Sequence, residues 1–234
     1  MWTSTDSASD VWAIVPVKRL SHAKQRLSPL LSGTERAALA RAMLHDVLTM
    51  LCATPKLTGI VVVTGDPLVA NLATLFGARV VGDMLETGVN AAVEQGLRTL
   101  DRPSAAVLIV PADVPFATAS DLRLVISELG RYPVVLVPAS SDGGTNALAM
   151  RKPGLIAPSF GDDSFARHQA LARRGGADCG IVRTEGLGRD IDCPEDLLFW
   201  SGSKKSLQTA RLLAELDVAN RLGVTMFPAS GRQM

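Results

Sequence analysis

Short apolar runs recur along this chain, each stopped by proline, glycine or aspartate, and amphipathic stretches alternate with them. Val11–Val17 (VWAIVPV), Ile60–Thr64, Arg79–Val81, Val107–Val110, Val134–Pro138 and Ile181–Thr184 have the length and β-branched content of strands. A run that is apolar at every position, not at alternate ones, predicts a strand covered on both faces. Helix signals fall between the runs. Ser32 and Glu35 have capping-box spacing, and Leu39, Met43, Val47 and Leu51 form one stripe of the helix they open. Asp66-Pro67 reads as an N-cap with a first-turn proline, and Gly77 closes that helix. Further helices are expected over Ala91–Leu100, from Thr118 to Gly130, over Phe165–Arg174, from Pro194 onward and over Leu207–Leu222. The alternation predicts an α/β fold: three α/β/α layers around a Rossmann-like, mostly parallel sheet.

The central strand runs straight into Pro111-Ala112-Asp113. Proline cannot continue a central ladder, so Asp113 sits just past the strand's carboxyl end, the edge where ligands bind in open α/β sheets. Either Asp113 caps a turn or it meets a cation or ligand. After the first strand, Lys18, Arg19, Lys24 and Arg26 place four cations within nine residues. Such a run is a solvated loop or, at this position, a phosphate contact made by side chains, since neither GxGxxG nor GxxxxGK[ST] is present. The loop Gly82–Asn90 delivers backbone N–H groups to a helix start, with Asn90 as cap or ligand donor. Thr145 and Asn146 follow a Gly-Gly pair and offer donors. Ser164 is either the N-cap of the next helix or, with Gly161, part of an anion site. Asp190 and Asp192 alternate on an extended segment and face one side, where they repel unless a cation lies between them. His45 and Asp46 read as helix-surface residues. His22, His45 and His168 lie on different elements without ligand spacing and are read as non-ligands.

At 234 residues the chain suits one well-cored domain at residues 11–200, with a polar arm at 1–10 and a C-terminal extension at 201–234. The extension begins with the linker-like SGSKKS, and its amphipathic helix is expected to pack on the body or on a second copy as a homodimer contact. A net charge of +1 argues against bulk nucleic-acid binding or an anionic membrane surface. Three cysteines without CxxC suit a reducing, cytoplasmic setting, and no apolar run reaches the length of a membrane span. The polar N-terminus does not read as a signal peptide.

The blocks AIVPVKRLSHAKQRL, ERAALARAMLHDVL, VVVTGDP, GVNAAVEQG, VLIVPADVPF, GGTNALAM, FGDDSFARH and RDIDCPEDL, in that order, resemble the guanylyltransferases of deazaflavin coenzyme F-420 biosynthesis. The resemblance covers about residues 11–200. It implies a sheet of the nucleotide-diphospho-sugar transferase type and transfer of GMP from GTP to a phosphorylated three-carbon acid: phosphoenolpyruvate, 2-phospho-L-lactate or 3-phospho-D-glycerate. It further implies Mg²⁺ at Asp113, Asp190 and Asp192. Lys18, Lys24 and Arg26 would face the triphosphate, Gly88 and Asn90 would lie near the nucleoside, and Thr145, Gly161 and Ser164 would hold the acid. A later transferase of the same pathway is the expected partner. Cys193 stands where relatives often carry threonine. Sister enzymes acting on molybdopterin, sugar or polyol phosphates, and a non-catalytic nucleotide-binding module, are the alternatives; the latter would be marked by loss of one acid of the trio, and none is lost.

Overall fold

The computed structural model describes residues 10–100, 105–199 and 207–223. The expected polar arm through residue 9, the linker at 201–206 and residues 224–234 lie outside them. Seven strands are present: β1 (Val11–Pro16), β2 (Leu57–Thr64), β3 (Arg79–Gly82), β4 (Ala106–Ile109), β5 (Val134–Pro138), β6 (Thr145–Met150) and β7 (Cys179–Ile181). They form one sheet in the order β3-β2-β1-β4-β6-β5-β7. Every neighbouring pair is parallel except those of β6, which runs antiparallel to both β4 and β5. The last strand ends earlier than its apolar pattern predicts, because its register with β5 pairs Ile181 with Leu136 and stops there.

Uninterrupted apolar runs are explained by what lies on each face. Ala13 and Val15 of β1, Val62 of β2, Leu108 of β4 and Val135 of β5 belong to one core. Their neighbours Ile14, Val61, Val63, Ile109 and Leu136 belong to the other. The first core is shared with α1 (Gly33–Cys52), α2 (Pro67–Leu75), α4 (Ala119–Glu128) and α6 (Gln208–Glu215). The second is shared with α3 (Val89–Arg98) and α5 (Ser164–Arg174). Successive side chains of a strand point to opposite faces, so both sides must be apolar when both carry helices.

Local signals act as expected in α1, where Glu35 N–H donates to Ser32 Oγ (3.3 Å) and Ser32 N–H donates to Glu35 Oε2 (2.7 Å). Leu39, Met43, Val47 and Leu51 are buried together. Asp66 caps α2 by accepting from Leu68 N–H, and its second oxygen accepts from Leu20 N–H, tying down the loop after β1. Helix α3 lies unusually close to the sheet: a Cβ on Gly96 would fall 2.8 Å from Ile14 Cγ2 and 3.0 Å from Val63 Cγ2. That close approach seats the C-terminal half of α3 directly on β1 and β2.

Three expectations are corrected. Asp46 is not a surface residue: its carboxylate is buried and accepts from Gln208 N–H (2.9 Å) and Thr209 N–H (2.8 Å), capping α6 from 162 residues away. The expected helix Leu207–Leu222 is two helices, α6 and α7 (Val218–Arg221), broken at Asp217, whose φ of 52° cannot continue a right-handed helix. Its apolar stripe, with Ala210 and Leu213 buried, packs on α1 of the same chain, the first of the two expected placements. The segment opened by Pro194 is a 3-10 helix, Pro194–Phe199.

Candidate active site

The carboxyl ends of β1, β3 and β4 open onto a cavity of about 530 Å³. Lys18, Lys24, Gly88, Asp113 and Asp192 line it. Because β6 is reversed, its first residues, Thr145 and Asn146, come to the same edge where the parallel strands end. Chain reversal thus adds a second set of side chains beside the one that β4 delivers.

Asp113 follows β4 after Pro111, and its carbonyl accepts from Ile191 N–H at 3.0 Å. This bond lays the extended segment around Ile191 alongside Asp113, with Asp190 and Asp192 on either side. Asp196 reinforces it, since one carboxylate oxygen accepts from both Asp192 N–H and Cys193 N–H at 2.7 Å. Asn146 donates to Asp190 Oδ1 at 3.1 Å. Asp113, Asp190 and Asp192 each bring a carboxylate oxygen to within 4.8 Å of the others. No other such group of acidic, histidine or cysteine side chains occurs among the described residues.

A cation does stand beside these acids, Lys24, but it bridges Asp192 to Asp113 and does not lie between Asp192 and Asp190. Its Nζ donates to Asp113 Oδ2 and to Asp192 Oδ1, both at 2.7 Å. Lys24 is 8% exposed and links two 3-10 turns, Leu20–His22 and Gln25–Leu27, with a left-handed backbone (φ 51°). Burial alone would lower its pKa, but the charges of Asp113 and Asp192 outweigh that and hold it above the ordinary lysine value. Asp190 shows the opposite balance: burial first, then the neighbouring Asp113 carboxylate, pushes it up to about 6. Arg26 stands farther out, 3.8 Å from Asp192 Oδ2, and Lys18 is exposed on the cavity wall. Three convergent carboxylates are hard oxygen donors of the kind Mg²⁺ takes, so the residues present fit a divalent cation.

Gly88, at φ 116°, is the N-cap of α3 and supplies no side-chain cap, so the first-turn N–H groups of α3 stand at the cavity wall. Asn90 is not the cap and does not line the cavity. From the second helical position it grips the turn before α5: its Oδ1 accepts from Phe160 N–H (2.7 Å) and its Nδ2 donates to Phe160 O (3.2 Å). Ser164 is not the cap of α5 either. Asp163 holds that position, and the Ser164 hydroxyl is buried and donates to Thr145 Oγ1 at 3.3 Å. Gly161, φ 115°, lies in the same turn in a conformation that side chains disfavour. Nearby, the wholly buried His168 meets Thr145 Oγ1 through Nδ1 (3.0 Å) and Ser159 N–H through Nε2 (2.9 Å).

The sequence profile of the family described as Guanylyl transferase CofC like matches residues 11–219. The chain belongs to the CofC-like guanylyl transferase family. A phosphoenolpyruvate guanylyltransferase of Sphaerobacter thermophilus is 41% identical over 190 residues, 79% of this chain and 89% of the relative. A 3-phospho-D-glycerate guanylyltransferase of Phenylobacterium zucineum is 36% identical, covering 87% of this chain and 95% of the relative. A 2-phospho-L-lactate guanylyltransferase of Methanothermobacter thermautotrophicus is 35% identical, covering 79% and 81%. Among solved structures, a protein provisionally assigned as a nucleotide-diphospho-sugar transferase, from Desulfovibrio desulfuricans, superposes with a TM-score of 0.75 at 17% identity, covering 92% of this chain and 97% of that one. The 4-diphosphocytidyl-2C-methyl-D-erythritol synthase of Anaerococcus prevotii gives 0.61 at 16% identity, covering 88% and 97%. The chain is therefore a CofC-like nucleotidyltransferase with the α/β sheet of that wider group.

Proposed function

We propose that this CofC-like enzyme moves GMP from GTP onto the phosphate of a small phosphorylated carboxylic acid and releases pyrophosphate. An acceptor phosphate oxygen attacks the α-phosphorus of GTP, and the bond between the α-phosphorus and the bridging oxygen breaks. Because the acceptor phosphate is already anionic, no general base is needed. The obstacle is the meeting of two anions, and the single observation that carries the reading is the cluster of Lys24, Asp113 and Asp192 on the wall of the 530 Å³ cavity, with Asp190 completing the acidic trio beside it.

In this reading Asp113, Asp190 and Asp192 hold Mg²⁺, which when bound screens phosphate charge and stabilises the leaving pyrophosphate. Lys18, Lys24 and Arg26 supply fixed positive charge to the triphosphate. The N–H groups beyond Gly88 meet the nucleotide at the cavity wall. Thr145 and the turn at Gly161 receive the acid, with Ser164 buried behind Thr145 as its support. The three acids named for the relatives share a carboxylate and a phosphate, which suits a site of paired donors. A place in coenzyme F-420 biosynthesis, ahead of a transferase that consumes the guanylylated acid, follows from the family resemblance. A cytoplasmic setting agrees with free thiols at Cys52, Cys179 and Cys193.

The test is pyrophosphate release with GTP, magnesium and each of phosphoenolpyruvate, 2-phospho-L-lactate and 3-phospho-D-glycerate in turn, with the other nucleoside triphosphates as controls. Release should need both GTP and one acid. Asp113→Asn should lower kcat by about 10³-fold or more while melting like the parent, given what metal sites contribute to phosphoryl transfer. Full activity in that variant would remove Asp113 from the mechanism.

A further inference from the structure

We infer that His168 is a positioning residue that sets the Thr145 hydroxyl as a hydrogen-bond donor toward the anionic acceptor; this rests on the proposed transferase reading. The argument starts from Ser159. A backbone N–H can only donate, so His168 Nε2, 2.9 Å away, must offer its lone pair. A ring that accepts at Nε2 is neutral and carries its proton on Nδ1. That proton can only be donated, and Thr145 Oγ1 lies 3.0 Å from it. Thr145 Oγ1 also accepts from the Ser164 hydroxyl at 3.3 Å. With the ring proton and the Ser164 hydroxyl both directed at Thr145 Oγ1, the Thr145 proton is left available to a third group. Thr145 stands at the sheet edge, next to Asn146, which holds Asp190. A donor fixed there suits an anionic oxygen of the acceptor.

The surroundings keep this arrangement in one state. His168 is 0% exposed and packs edge-on against Phe160. Burial, with the Arg167 charge beside it, pushes its pKa down to about 4, so the ring stays neutral near pH 7. Phe160 is gripped by Asn90, which holds the acceptor-side turn to the helix that borders the nucleotide cavity. The same imidazole thus fastens Ser159 and aims Thr145, and it need not touch either substrate.

Two measurements test this. In histidine-labelled protein, long-range ¹H–¹⁵N correlation should show His168 with a proton on Nδ1 and a bare Nε2 at neutral pH. A ring protonated on Nε2 or on both nitrogens overturns the inference. In steady-state kinetics, H168F should raise KM for the acid by about 10- to 100-fold, the worth of a hydrogen bond to a charged group, with KM for GTP within about twofold of the parent. H168N, which keeps a donor at the Nδ1 position, should recover most of the loss. T145V should match H168F, and the double variant should be no worse than T145V alone. T145V serves as the independent variant if H168F does not fold. An unchanged acceptor KM in T145V, or equal losses for GTP and acid, overturns the inference. A parent protein inactive with every acid instead overturns the proposed function.

Discussion

The most revealing single change is Lys24→Met. The ammonium makes two charge-assisted bonds of 2.7 Å, and each corresponds to about 6 kcal/mol of gross Coulomb attraction at an effective dielectric near 20. Desolvation of Lys24 offsets much of this. Removing one partner of a buried ionic cluster typically costs about 3–5 kcal/mol, because the remaining charges lose their counter-ion. Asp113 and Asp192 have side chains 27% and 42% exposed, so water relieves part of that cost and a loss of about 2–3 kcal/mol is expected. For a chain of this size that is a fall in Tm of about 5–10 °C. A divalent cation should reverse the loss, since it can take the charge-neutralising role without competing with the ammonium. Thermal melts of parent and variant, with and without millimolar magnesium chloride, should show the larger magnesium-induced rise in the variant. Equal rises in both proteins, or a variant melting with the parent in chelator, would refute the view that Lys24 is the internal counter-ion of Asp113 and Asp192.

Other predictions concern stability. Asp46→Ala should release α6 from α1, costing about 1–2 kcal/mol as a lost helix cap, and hydrogen exchange over residues 208–215 should accelerate; unchanged protection there would refute the capping role. Gly96→Val should cost at least about 1–3 kcal/mol by driving α3 off Ile14 and Val63, read from the urea midpoint. His168 titrates near 4 in the fold against about 6.5 unfolded, so the unfolded chain binds more protons between these values and stability rises with pH. Its contribution is whole above pH 6.5 and is lost as pH falls toward 4. Acidification from pH 7 to 4.5 should therefore remove about 2–3 kcal/mol from the parent that H168F does not lose, measured by denaturant titration at both pH values. Parallel acid profiles for the two proteins would contradict the neutral, buried assignment.

What the sequence revealed divides by range. The buried strands, the box at Ser32 and Glu35 and the Asp66 cap are local patterns, and the structure follows them. Asp113 was legible at the sheet edge because a strand, a proline and an acid are contiguous. Asp190 and Asp192 could be seen to repel, but not that Lys24 would pair with Asp192 from 168 residues away while Asn146 holds Asp190. Asp46 was misread because the N–H groups it caps belong to α6, and nothing near Asp46 announces them. Asn90 and Ser164 were expected at helix starts for their cap propensity. In the fold Gly88 and Asp163 hold those places, and the polar side chains instead join α3, β6 and α5 across the molecule. A lone histidine such as His168 gives no hint in the sequence that both ring nitrogens will be engaged. The antiparallel setting of β6 was likewise invisible in its apolar run, which looks the same in either direction.

That reversed strand has a consequence for how such enzymes diversify. β5 and β6 are joined by a tight hairpin closed by Ala139 N–H to Gly144 O at 2.9 Å, and Thr145 follows at once. A surface hairpin can gain or lose residues at small entropic cost and without reordering the strands beside it. Changes in that turn would reshape the proposed acid pocket and leave the proposed nucleotide half, at the ends of β1, β3 and β4, as it is.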